Sequence, residues 1–226
     1  MLTEKFYKRY KYMIVLLALS FLWNALSYWG GRLINQGLTH HDLSLPVDLV
    51  IPLVPVTVIL YFGAFLFWFI NYSLIAGGDD EERGRFFMAD FISRVVCLAF
   101  FIILPTTLVR PEPGTDTAWS TFLTFVYQMD SADNLFPSIH CLASWLAWVG
   151  VRNRKDIPAW YRNLSLVLAI LICISTVTTK QHVVVDIFAG VILAELCYWL
   201  VGFFKLGDRY LKFADRVAGL FGVRRE

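Results

Sequence analysis

Residues 164–204 read LSLVLAILICISTVTTKQHVVVDIFAGVILAELCYWLVGFF, two apolar runs parted by a short polar break around Lys180, Gln181 and His182. The runs, Leu164 to Thr179 and His182 to Phe204, approach or exceed the roughly 20 residues with which an α-helix crosses a bilayer. Working outward, the same kind of run recurs. It is found at Met13 to Trp29, at Leu49 to Ala76 with Pro52 and Pro55 near its start, at Phe86 to Val109 and, shorter, at Phe136 to Val151. The expected fold is therefore all-α, a polytopic membrane protein built as a bundle of six transmembrane helices. Residues 1–226 form one membrane domain, with a motif-bearing core at about 86–204 and cytoplasmic tails at 1–12 and 205–226.

Composition agrees with this reading. The chain is 58% hydrophobic and 17% charged, with a mean hydropathy of +0.59, too apolar for a soluble domain. A net charge of +2 is too small to point to nucleic acid. Cys97, Cys141, Cys173 and Cys197 lie inside apolar runs without metal-ligand spacing and read as small buried residues.

Lys and Arg in the flanks set the expected orientation. One side holds Lys5, Lys8, Arg9, Lys11, Arg83, Arg85, Arg152, Arg154, Lys155, Arg162 and the six cations of the C-terminal segment, sixteen in all; the other holds only Arg32, Arg110 and Lys180. Both termini are expected in the cytoplasm. A competing reading takes the first run as a signal peptide, with Ala25-Leu26-Ser27 as a weak cleavage site, leaving five spans. The stretch Gly77-Gly78-Asp79-Asp80-Glu81-Glu82 has the letters of a nucleotide-cyclase signature but no domain around it, and reads as a solvated turn. Between Arg110 and Leu135, the spacing of Trp119, Phe122, Leu123 and Val126 predicts a short interfacial helix that packs, or roofs a lipid entrance.

The polar residues of the sparse side gather at span ends. Arg110-Pro111 is expected to close the third helix, Phe136-Pro137-Ser138-Ile139-His140 opens the fourth, and Lys180 to Asp186 joins the fifth to the sixth. Ionisable groups beside hydrocarbon are costly and usually functional. His182 and Asp186, four apart, share a helix face. The carboxylate can take the proton of one imidazole nitrogen and leave the other as nucleophile or base. Ser138 behind Pro137 places a hydroxyl and backbone N–H groups at a helix N-terminus, which favours an anion. Arg110 offers a fork to phosphate oxygens and Lys180 a point charge. Two histidines, a carboxylate, two cations and a hydroxyl suit phosphoryl transfer through histidine; a zinc site lacks its remaining ligands. Each residue also has a plainer reading: Arg110 as an interfacial anchor, Ser138 as an N-cap, Lys180 as a snorkelling flank. Asp133 and Asn134, just before the second cluster, are candidates for a head group or for a turn. Arg94 is expected to pair with Glu195, or with Asp90 one turn back.

Arg110-Pro111, Pro137-Ser138-Ile139-His140 and His182 with Asp186, in this order, resemble the three signatures of the type-2 phosphatidic acid phosphatase superfamily, over roughly Arg94 to Gly190. The resemblance implies His182 as a nucleophile that forms phosphohistidine, with Asp186 orienting it. His140 would be the general acid and then base, with Arg110 and Ser138 binding phosphate; neither metal nor cofactor is implied. Three positions depart from the pattern: Ile103 stands for a Lys, Ile139 for a Gly and Thr176 for an Arg. Two phosphate-binding cations are thus missing, and Lys180 is expected to replace one. The Phe-Pro-Ser-x-His and Gln-His forms are similar to the branch related to inositol phosphorylceramide synthases, whose acceptor is an alcohol. The expected function is a lipid-phosphate phosphatase of the plasma membrane, with an extracytoplasmic site and a phospholipid or polyprenyl phosphate as substrate. The alternatives are a phosphotransferase that moves a phospho-head group to an alcohol and, more remotely, a non-catalytic transport protein.

Overall fold

The apolar runs are helices in the computed structural model, which describes residues 2–223 and 225 and, within 2–8, only the side chain of Tyr7. Lys5, Lys8 and Arg224, counted above for orientation, lie outside the described side chains. The chain runs α1 (Leu2–Ile34), β1 (His41–Asp42), α2 (Pro46–Val50), α3 (Val58–Ala76), α4 (Asp80–Ile103), β2 (Thr106–Thr107), α5 (Ala118–Met129), α6 (Ile139–Val151), α7 (Ala159–Thr178), α8 (Val184–Phe203) and α9 (Gly207–Leu220). Segments in α1, α3, α4, α7 and α8 are long and apolar enough to cross a membrane, and α6 is a shorter apolar helix. The protein is an all-α polytopic membrane protein.

Local chemistry sets the boundaries. Asp79 caps α4 by accepting the Glu82 N–H at 2.9 Å, and Asp80, Glu81 and Glu82 fill the first turn, where carboxylates meet the positive end of the helix dipole. The Gly-Gly-Asp-Asp-Glu-Glu stretch is thus a helix start. The second and third apolar runs are not helical throughout. The second overlaps the end of α2 and holds a 3-10 turn at Pro55–Thr57 before α3 begins at Val58, because Pro52 and Pro55 bring no N–H and disfavour helix just before them. The third ends at Ile103 ahead of Pro105. Beyond it, Thr106 and Thr107 pair in parallel with His41 and Asp42. Arg110 therefore stands in a loop and does not close a helix. The expected C-terminal tail contains α9, which buries Tyr210, Leu211, Ala214 and Ala218 and packs on α4 and α1.

At the centre stands α6, packed on α3, α4, α7 and α8. With 13 residues it is about 20 Å long, short of a roughly 30 Å hydrocarbon core. Its closest neighbour is α8. A Cβ on Gly190 would lie 2.7 Å from the Ser138 carbonyl oxygen and 3.0 Å from the Leu142 nitrogen, both backbone atoms. Gly190→Ala should therefore lower stability by about 1–3 kcal/mol, read as an earlier unfolding midpoint of the detergent-solubilised protein.

Charges inside the bundle are paired. Arg94 meets Asp90 at 3.1 Å, whose carboxylate also accepts the hydroxyls of Ser20 at 2.6 Å and Tyr72 at 2.7 Å. Glu195 takes Arg152 and Trp145 instead, so Arg94 pairs with Asp90 and not with Glu195. All four cysteines are buried and free.

Candidate active site

At one end of the bundle the helices enclose a cavity of about 400 Å³. Its walls come from α1 (Phe21, Asn24, Ala25, Tyr28, Trp29), α3 (Tyr61, Phe62, Phe65, Trp68), α5 (Val126, Met129) and the loop residues Arg110, Asp130, Ser131, Asp133, Asn134 and Leu135. Ile139, His140, Gln181 and His182 complete it. Trp29, Phe62, Phe65 and Met129 are also exposed on the protein surface, so apolar groups rim the cavity. The short helix expected between Arg110 and Leu135 is α5. It buries Leu123 and Val126 against Val58 and Tyr61 and supplies cavity wall as well.

His182 sits in the turn between α7 and α8. The N–H groups of Gln181 and His182 both donate to the Thr176 carbonyl, at 2.9 and 3.0 Å, and Lys180 takes a left-handed φ of 52°. Asp186, fully buried in the first turn of α8, accepts the Val183 N–H at 3.1 Å and lies 3.2 Å from His182 Nδ1 through the same oxygen. The helix start thus fixes the carboxylate, and the carboxylate fixes the imidazole with Nε2 as its free nitrogen.

His140, in the first turn of α6, is held in an aromatic box. It stacks on Tyr61 at 4.0 Å between ring centroids, with Trp68 at 5.0 Å and Phe65 at 5.8 Å. Its Nε2 is buried and has no hydrogen-bond partner among the described residues. The His140 and His182 ring centroids are 6.4 Å apart, and both residues line the cavity.

The remaining expected residues divide. Arg110 lines the cavity. Its terminal nitrogens donate to the carbonyls of Asp130 and Ser131, its guanidinium lies 4.9 Å from the Tyr127 ring centroid, and its buried Nε has no partner in the protein. Ser138 is fully buried and caps α6, accepting the Cys141 N–H at 3.3 Å; it does not line the cavity. Asp133 pairs with Arg32 at 3.0 Å, and burial pushes its carboxyl above the ordinary aspartate range, against the pull of Arg32. Asn134 joins loop to α1, donating to the Tyr28 carbonyl at 2.8 Å and accepting from Asn35 at 2.7 Å.

Lys180 points away from the cavity. Its ammonium donates to the carbonyls of Asp48 at 2.8 Å and Ile51 at 2.6 Å, while the Asp48 carboxylate accepts the N–H groups of Leu45 and Val184, each at 2.8 Å. These bonds staple the segment around α2 to the turn that carries His182. Lys180→Met should loosen that turn, reducing stability by roughly 1–3 kcal/mol and turnover by less than the loss of His182. Thermal unfolding and initial rates on the purified variant check both.

Several site residues escape sequence reasoning. Asp130 accepts the hydroxyls of Tyr28 and Tyr61, linking α1 to the ring against which His140 stacks. Asp48 also belongs here, and Gln181 is legible only as part of the Gln-His form, with no role of its own. None carries a spacing signal, since each gains its place through a partner far along the chain or, for Gln181, through a fold-dependent cavity.

A family model described as the PAP2 superfamily matches residues 91–205. No curated protein and no solved structure matches the chain. The matched stretch runs from α4 to just past α8 and contains both cavity-lining histidines, His140 and His182. Covering just over half of the sequence, it shows that the protein belongs to the PAP2 superfamily.

Proposed function

We propose that the protein is a lipid-phosphate phosphatase that works through a phosphohistidine on His182. PAP2 superfamily membership points to phosphatase or phosphotransferase activity on lipid phosphates. The observation that carries the finer reading is the pair of imidazoles, one oriented by Asp186 and the other with an unpartnered Nε2, 6.4 Å apart on a cavity with an apolar rim. His182 Nε2 attacks phosphorus and the bond to the leaving oxygen breaks. His140 gives that oxygen a proton, then takes one from the incoming water as the P–N bond breaks. Arg110 offsets the charge on the phosphoryl oxygens, and holding the groups in place supplies much of the rate. A lipid tail reaches the cavity over its apolar rim, to which the exposed Trp29 and Phe62 belong. The basic flanks support a site on the extracytoplasmic face with both termini inside, and the plasma membrane is the proposed location.

Transfer to an alcohol is a second reading with its own observation. Among the described residues, Arg110 is the one Lys or Arg on the cavity wall. Ile103 is 80% exposed, and Thr176 is fully buried with its hydroxyl on the Cys173 carbonyl at 2.7 Å. A single cation suits a monoanionic phosphodiester head group better than a dianionic monoester.

The test is phosphate release by the purified protein from a panel of lipid phosphates, with and without an alcohol, using His182→Ala as the blank. Release by wild type alone supports hydrolysis, and a phosphoalcohol product supports transfer. Equal activity in His182→Ala removes both.

A further inference from the structure

Gln181 is only 1% exposed, yet neither its Oε1 nor its Nε2 has a hydrogen-bond partner among the described residues. The residue is part of the cavity wall. Buried amide groups nearly always find partners, because leaving them unpaired costs the full desolvation of each group. The backbone offers no slack to rescue this one. The Gln181 N–H is tied to the Thr176 carbonyl at 2.9 Å, and Lys180 on one side and Asp186 on the other lock the turn. Arg110 Nε and His140 Nε2 are likewise buried, unpartnered and on residues of the same wall.

We propose that Gln181 is a substrate-binding residue whose carboxamide spans the phosphoryl group and the acceptor that attacks it. The proposal rests on the reading of His182 as the phosphoryl carrier. The Nε2–H donates to a non-bridging phosphoryl oxygen, a neutral donor on a wall whose one Lys or Arg among the described residues is Arg110. The Oε1 is repelled by anionic oxygens and needs a proton. The acceptor hydroxyl surrenders its own proton to His140 as its oxygen bonds to phosphorus and the P–Nε2 bond of His182 breaks, the electron pair returning to the imidazole. Oε1 must therefore be met by a second proton on the acceptor. Water has one, and so does a polyol with a neighbouring hydroxyl; a simple monoalcohol does not. Gln181 thus selects water or a vicinal diol over a monoalcohol, because a buried acceptor left unpaired penalises the wrong partner.

The experiment uses the full chain in detergent micelles with dioctanoyl phosphatidate as donor and either glycerol or 1-propanol added. Phosphorus NMR reads free phosphate, glycerol phosphate and propyl phosphate. Orthovanadate binding, followed by the fluorescence of the cavity tryptophans Trp29 and Trp68, gives a second measure that needs no turnover. Wild type should favour glycerol over 1-propanol about tenfold, and Gln181→Met, similar in size and without the amide, should bring the ratio near one and weaken orthovanadate about tenfold. Should that variant fail to fold, Gln181→Glu keeps the shape, and its charge should repel orthovanadate at least as strongly. Wild-type product ratios and orthovanadate affinity in the variant would overturn the proposal, as would a uniform loss of every product at unchanged ratios, or a wild type that binds no orthovanadate. His182→Ala is run alongside. Its retention of activity sinks the phosphohistidine reading, whereas a dead His182→Ala beside an unaltered Gln181→Met sinks the Gln181 assignment alone.

Discussion

Alanine at position 182 should reduce phosphate release by a factor of ~10³ to 10⁶, the range seen when a covalent nucleophile is removed, while the helix bundle stays folded. The imidazole forms part of a cavity wall and makes one side-chain hydrogen bond, to Asp186. Its loss leaves that carboxylate with the Val183 N–H at 3.1 Å, so the first turn of α8 keeps its anchor. Nothing else on the wall can take over. His140 is clamped between Tyr61 and Trp68, and Lys180 Nζ is committed to two carbonyls. The measurement is initial rate against lipid phosphate for protein whose thermal unfolding matches wild type. Burst labelling with a phosphorus-32 donor, trapped at alkaline pH, should give an acid-labile phosphoprotein in wild type and none in the variant.

Asp186→Asn should lower kcat by ~10² to 10⁴ with KM little changed, through the tautomer of its neighbour. One carboxylate oxygen accepts both the Val183 N–H and the Nδ1 proton of His182. Asparagine keeps the volume, so the fully buried site stays packed. Its amide nitrogen can only donate, however, and turned toward His182 it forces the ring proton onto Nε2, the atom that must attack phosphorus. Even with the amide oxygen turned inward, the developing imidazolium loses its counter-charge. A split between kcat and KM separates this from damage to substrate binding. A rise in KM alone would contradict the assigned role.

The sequence makes the helices legible because lipid demands long apolar runs, and these stand out without knowledge of neighbours. It also brings out His140, His182 and Asp186, whose proposed roles depend on short-range spacing at helix starts. The failures have a common cause in partners far along the chain. Lys180 reads as a phosphate ligand until Asp48 and Ile51 are seen to capture it. Asn134 reads as a head-group contact until Asn35 and Tyr28 fill both ends of its amide. Arg110 reads as a helix end because nothing in its neighbourhood announces the strand pair after Pro105. The helix α9 was readable in principle from Tyr210, Leu211, Ala214 and Ala218, but dense charge masks a narrow apolar stripe.

The chamber is composite. Its two histidines lie on α6 and the turn before α8, within residues 91–205, while α1 and α3, which form the aromatic side with Phe21, Tyr28, Phe62 and Trp68, precede that stretch. The imidazoles and much of the aromatic wall are thus written in separate parts of the chain, which meet where Tyr61 and Trp68 hold His140. Substitutions at Phe21 and Trp29 on α1, away from those two rings, can reshape which molecule is welcomed without disturbing the imidazoles, and a new preference can arise here by drift in one part while the other stands still.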